Sequence, residues 1–181
     1  MNNKTRNMIL VSLFTALTAV GAFIKFPIGT VSISLQFVFT ALAAILLGAR
    51  LGALSQIIYV FLGLIGIPIF TEGGGLSYIF KPSFGYLIGF ILGAYIIGLI
   101  VSKYKNPDPI KIFLACIIGA IVIYAVGVPY LYLILKNVNG VNITFYKALK
   151  IGALVFIPGD IIKCIFISII GAKVIPALKK Y

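Results

Sequence analysis

A chain of 181 residues that is 62% apolar and only 10% charged cannot be a soluble domain without hiding nearly everything it exposes, so it reads as an integral membrane protein. Its net charge of +12 does not indicate nucleic acid, because the basic residues fall at the ends of apolar stretches, where they set membrane topology. The chain has no histidine, no clustered acids and no Gly-Lys-Ser/Thr loop (Gly73-Gly74-Gly75 runs into Leu76-Ser77-Tyr78), so neither a metal site, nor a cofactor, nor nucleotide hydrolysis of its own is expected.

Charge-free stretches span residues 7–24, 26–49, 51–71, 82–102 and 112–135, and a sixth apolar stretch spans 151–172. About 20 residues cross a bilayer, which predicts an all-α membrane protein of six transmembrane helices forming one domain over residues 1–181. The first stretch lacks a small-residue cleavage site before Lys25 and is read as a retained helix. It carries a stripe of small residues, Ser12 and Ala16, with Thr15 and Ala19 beside it. Pro27 and Gly29 break it, and Thr30 to Ser34 leads into helix 2, where Gln36 is the first polar side chain. The turn Gly48-Ala49-Arg50-Leu51-Gly52 is too short for anything but an antiparallel helix hairpin.

Between helices 3 and 4 lies a loop from Gly66 to Pro82, with three glycines set among apolar and aromatic residues. It is too apolar for an ordinary solvated loop. It can fold back over a cavity, mobile when the site is empty and ordered when it is full, or it can be a passive interfacial connector anchored by Tyr78 and Phe80. Helix 4 carries Gly85, Gly89 and Gly93 on one stripe, a close-packing surface. Cys116 and Cys164 have no local partner spacing and are read as small core residues.

The stretch from Val141 to Tyr181 is too long for one crossing, and Pro158-Gly159 is its natural break. Residues 142–150 then form a short interfacial piece. Just after the break come Asp160 and Lys163, three residues apart on one helical face, with Asp160 the only carboxylate inside an apolar stretch. A charge at the centre of a membrane helix costs at least ~2.5 to 3.5 kcal/mol, so such residues pair and face an interior site. The 13 residues from Asp160 to Lys173 rise ~20 Å, which puts the pair toward the outer loops. With the N-terminus inside, Lys4, Arg6, Arg50, Lys103, Lys105, Lys111, Lys173, Lys179 and Lys180 are cytoplasmic. Lys25, Lys81, Lys136, Lys147 and Lys150 are then outside, which supports both termini in the cytoplasm.

The segments Ala16-Leu17-Thr18-Ala19-Val20-Gly21-Ala22-Phe23-Ile24, Leu51-Gly52-Ala53-Leu54-Ser55-Gln56, Gly63-Leu64-Ile65-Gly66-Ile67-Pro68, Gly73-Gly74-Gly75, Gly85-Tyr86-Leu87-Ile88-Gly89-Phe90 and Pro158-Gly159-Asp160-Ile161-Ile162-Lys163 run through the chain from end to end. In order and spacing they resemble the BioY family, the biotin-specific substrate-capture subunits of energy-coupling factor (ECF) transporters. The resemblance implies a six-helix subunit in the cell membrane that binds biotin from outside. It also implies a transmembrane coupling protein and cytoplasmic ATPase subunits as partners. The family's Pro-Gly-Asp-x-x-Lys element carries binding-site roles onto Asp160 and Lys163. Its small-x-x-x-small element on helix 1 carries partner docking onto Ser12, Ala16 and the neighbouring Ala19.

On that implication, Asp160 can accept the urea N–H groups of biotin while Lys163 or Lys81 meets its carboxylate. Tyr78, Phe84 and Tyr86 can cover the rings, and Gly74 and Gly75 can bring backbone close to the ligand. Gln36 is either a further polar contact or an interhelical hydrogen bond. The competing readings are a capture subunit for another vitamin, an intramembrane enzyme using Asp160 and Lys163 as acid and base, and a structural subunit locked by that ion pair.

Overall fold

The structure, a computed structural model, describes residues 3–28 and 31–178, so Met1, Asn2, Gly29, Thr30, Lys179, Lys180 and Tyr181 lie outside the described residues. Its elements in order are α1 (Asn3–Phe23), β1 (Lys25–Ile28), β2 (Val31–Ser34), α2 (Gln36–Leu47), α3 (Ala49–Leu64), a 3-10 turn (Leu76–Phe80), α4 (Phe84–Ser102), α5 (Pro109–Asn137), α6 (Phe145–Leu149), a π-turn (Lys150–Leu154) and α7 (Ile157–Leu178).

The all-α expectation needs one correction. Residues after Lys25 form an antiparallel hairpin, with Lys25 opposite Ser34 and Ile28 opposite Val31. Ile28, Val31 and Ile33 are β-branched and favour extended backbone. The Leu35 N–H donates to the carbonyls of Gly21 and Ile24 at 3.1 and 3.2 Å, which folds the hairpin back onto the end of α1.

By length and composition, α1, α4, α5 and the continuous run Phe145–Pro176 are apolar enough to cross a membrane. The other two apolar stretches each lose one end, one to the hairpin and one to the loop after Leu64. This leaves α2 with 12 residues and α3 with 16, a rise of ~18 and ~24 Å against a ~30 Å hydrocarbon core. Gly48 alone separates these two helices. Its φ of 83° lies where a side chain is strained, so the expected tight hairpin depends on glycine there.

The break before the last helix falls at residues 155–156, and Pro158 sits in the first turn of α7, where its missing N–H costs nothing. Ahead of it, the Lys147 N–H donates to the Thr144 side chain at 3.3 Å and starts the short α6.

The most extensive helix pairing is α4 on α5. Its basis is the glycine stripe: a Cβ at Gly89 would lie 2.9 Å from the Ile123 carbonyl oxygen, and one at Gly85 would lie 2.3 Å from Tyr130 Cβ. Lipid is as apolar as leucine, so close backbone approach and buried polar bonds hold such a bundle. On the other side, Gln56 of α3 accepts from Thr40 of α2 at 3.0 Å and donates to Thr18 of α1 at 3.2 Å. Thr15 adds a bond to the Ser55 carbonyl at 3.0 Å. Every buried side-chain nitrogen and oxygen among the described residues has a partner.

Candidate ligand-binding site

One end of the bundle holds an open cavity enclosing about 680 Å³ of space between atoms, the solvent at its mouth included. Six regions build it. The hairpin gives Ser32, Ile33 and Ser34; the start of α2 gives Gln36 and Phe37; and the 66–83 loop gives Thr71, Tyr78 and Ser83. Helix α4 adds Tyr86, Leu87 and Phe90, and α5 adds Ala120, Ile123 and Tyr124. Phe156, just before α7, and Asp160 and Lys163 near its start close the wall.

The cavity is chemically divided. Its α5–α7 wall carries a cluster around Asp160, whose Oδ1 accepts from Lys163 Nζ at 2.9 Å and whose Oδ2 accepts from the Tyr124 hydroxyl. The i to i+3 spacing predicted this pairing on one helical face. The two side chains are only 13% and 16% exposed, so their charges meet little water. Tyr86 stands edge-on to Tyr124, with centroids 6.2 Å apart, and donates to the Gly152 carbonyl of the π-turn at 2.7 Å.

The hairpin and the 66–83 loop contribute a belt of hydroxyls. Tyr78 exchanges a hydrogen bond with Thr71 at 2.9 Å and accepts one from Ser83 at 3.1 Å. Ser34 donates to Gln36 Oε1 at 3.0 Å, Gln36 Nε2 donates to the Tyr59 hydroxyl at 2.8 Å, and Tyr59 donates to the Ile69 carbonyl at 2.8 Å. The loop therefore folds back over the cavity and is tied down at several points. Phe70 is buried between Tyr59 and Tyr78, its ring on the bare backbone of Gly63, where a Cβ would lie 2.0 Å from Phe70 Cζ. The Gly75 N–H donates to the Gly63 carbonyl at 2.7 Å, Lys25 donates to the Thr71 carbonyl, and Tyr130 donates to the Ile79 carbonyl. At the exposed edge Lys81 pairs with Glu72 at 2.9 Å, and that hydrogen bond raises the lysine above its ordinary pKa.

Comparison with known proteins gives this arrangement a lineage. The BioY family profile matches residues 1–180. The chain belongs to the BioY family. It is 50% identical over 133 residues to a probable biotin transporter BioY of Lysinibacillus sphaericus, covering 74% of this chain and 68% of that one. It is 36% identical to the biotin transporter BioY of Thermotoga maritima, covering 93% and 95% of the two chains. Among solved structures it superimposes with a TM-score of 0.84 on the S-component for biotin from an ECF-type ABC transporter, at 30% identity over 100% of this chain and 95% of that one.

Against that BioY framework, the residues expected from sequence sort by position. Asp160, Lys163, Tyr78, Tyr86 and Gln36 all line the cavity. Phe84 is buried beside it against Tyr130, at a centroid distance of 5.8 Å. Gly74 and Gly75 belong to the loop's own packing, where a Cβ at Gly74 would lie 2.3 Å from the Ile67 carbonyl oxygen and Gly75 has a φ of 99°. Lys81 stands at the exposed rim with Glu72. On α1, Ser12 and Ala16 are exposed and Ala19 is partly so, while Val11, Phe14, Thr15 and Thr18 face the bundle.

Sequence reasoning missed Tyr124, Thr71, Ser83, Phe156 and the hairpin serines. Tyr124 had a readable signal: tyrosines belong at the ends of membrane helices, and one in mid-stretch needs a buried partner for its hydroxyl. The serines gave none, because only the unforeseen hairpin turns Ser32 and Ser34 onto the cavity.

Proposed function

We propose that this protein is the biotin-capture subunit of an ECF-type vitamin uptake transporter, and that it is not an enzyme. It binds biotin from the outer side of the cell membrane and delivers it through a transmembrane coupling protein and cytoplasmic ATPase subunits. Its six longer helices cross the bilayer with both termini in the cytoplasm, and all 181 residues form one domain. The observation that carries the reading is the divided cavity. An anionic acceptor, Asp160, lines a cavity that also presents apolar side chains and a belt of hydroxyls, matching a ligand with urea N–H donors, an apolar ring and a polar tail.

In this reading Asp160 accepts from the urea, Tyr78 and Tyr86 flank the rings, and Gln36 is a polar contact. Lys163, Phe84, Gly74, Gly75 and Lys81 shape and charge the site. Asp160→Asn puts a half-donor amide before the urea donors, and its biotin affinity should fall about 10- to 100-fold in calorimetry on the purified, folded protein. Unchanged affinity would remove Asp160 from the site. Mass spectrometry of any small molecule retained through purification separates biotin from another vitamin.

For assembly, Ser12, Ala16 and Ala19 form the docking stripe, since small exposed residues let a partner helix approach closely. Ala16→Trp should abolish ATP-driven uptake and co-purification of the coupling protein while leaving biotin binding to the isolated subunit intact. Lost binding with assembly preserved would place the docking surface elsewhere.

A further inference from the structure

The carboxylate of Asp160 is held from two helices at once. A carboxylate has two oxygens with about four lone-pair sites in all. Lys163 takes one site on Oδ1 from the same helix. A lysine three residues away fixes a direction but not a plane, because its stem is long and its three donors rotate. The second donor is different in kind. Tyr124 projects from α5, has a rigid ring, and donates to Oδ2.

That ring is itself held. Tyr86 of α4 meets it edge-on at 85° and is anchored by its bond to Gly152 in the π-turn. Gly127, one turn along α5 from Tyr124, lies so close to Tyr86 that a Cβ there would come 2.4 Å from Tyr86 Cδ1. Helices α4, α5 and α7 and the π-turn therefore converge on one hydroxyl and one carboxylate. The remaining lone pairs of Asp160 are the ones a ligand can use.

We infer that Tyr124 is a positioning residue, which fixes the plane of the Asp160 carboxylate so that its free lone pairs meet the N–H donors of a cyclic urea. This rests on the biotin reading above. Tyr124→Phe keeps the ring and its packing and removes only the donor, leaving Asp160 to turn about its side-chain bonds.

The test uses the full chain in detergent as wild type, Tyr124→Phe, Asp160→Asn and the double variant. Calorimetry should show biotin binding to wild type and about tenfold weaker binding to Tyr124→Phe, the size expected for a hydrogen bond to a charged group. In the Asp160→Asn background the same change should alter affinity by less than about twofold, because residues acting through one another are not additive. A loss that persists undiminished in that background overturns the inference, since Tyr124 would then touch the ligand or shape the cavity on its own.

An infrared difference spectrum without ligand gives a second readout. The carboxylate band that disappears in Asp160→Asn should shift in Tyr124→Phe. An unmoved band overturns the inference, and the band decides alone if Asp160→Asn abolishes binding altogether. Because it needs no ligand, it also separates the two ideas: wild type that fails to bind biotin while the band shifts removes the functional reading and keeps the role of Tyr124.

Discussion

Two ion pairs, one on the cavity wall and one on the loop outside the cavity lining, have identical lengths. Lys163 meets Asp160 at 2.9 Å on the inner wall, and Lys81 meets Glu72 at 2.9 Å on the rim. Their surroundings differ: 13% and 16% exposure inside, against 47% and 35% outside. Exposed pairs contribute only ~0 to 1 kcal/mol, whereas removing one partner of a buried pair strands the other charge. Distance alone does not rank these interactions. The rim must be held by something else, and the structure offers the aromatic plug of Phe70 with the backbone bonds around it.

The largest effect on the rim should therefore come from an uncharged residue. Phe70→Ala leaves a hole between Tyr59, Tyr78 and Gly63 and should cost about 3 kcal/mol or more of stability, read by thermal or denaturant unfolding. In the intact protein the amides of Gly73 and Gly75, bonded to the Phe70 and Gly63 carbonyls at 3.3 and 2.7 Å, should exchange slowly even without biotin; in Phe70→Ala they should exchange fast. Fast exchange in the empty intact protein would favour the freely moving lid anticipated from the glycines.

Next in size is the inner pair. Lys163→Ala leaves Asp160 with Tyr124 alone and should lower stability by about 1 to 3 kcal/mol and biotin affinity by up to about 100-fold. Adding Asp160→Asn should restore stability but not binding. Because Lys163 Nζ rests on Oδ1, biotin and an uncharged biotin ester should weaken alike. A loss confined to biotin would instead assign Lys163 to the ligand's carboxylate.

What the sequence disclosed follows the strength of its local signals. The Asp160–Lys163 pair was legible because charge inside an apolar run is costly and i to i+3 spacing has one geometric meaning. The glycine stripe on α4 was legible as packing, and it packs on α5 inside the chain. The short reach of α2 and α3 was not. Apolar continuity through residues 26–34 and 65–71 looks the same whether the chain stays helical or turns into a hairpin and loop, and tertiary contacts such as Leu35 on Gly21 decide. The cavity's second half was hidden for the same reason, since serines and threonines in turns announce no partner. Tyr124 lay between these cases, its residue type informative but its partner 36 positions away.

The smallest effect is expected at the rim pair, and it bears most directly on what Lys81 does. Glu72→Gln removes the carboxylate that Lys81 now holds in an exposed setting, so stability should change by less than about 1 kcal/mol. If Lys81 only decorates the rim, Glu72→Gln and Lys81→Ala should each leave biotin affinity within about twofold, and raising the salt concentration should change nothing further. A different pattern would follow if the lysine reaches the ligand's carboxylate. Glu72→Gln would then free it and tighten binding, Lys81→Ala would weaken it, and both effects would fade with salt and vanish with an uncharged ester. The present geometry, with Lys81 committed to Glu72 and outside the cavity lining, predicts the flat result.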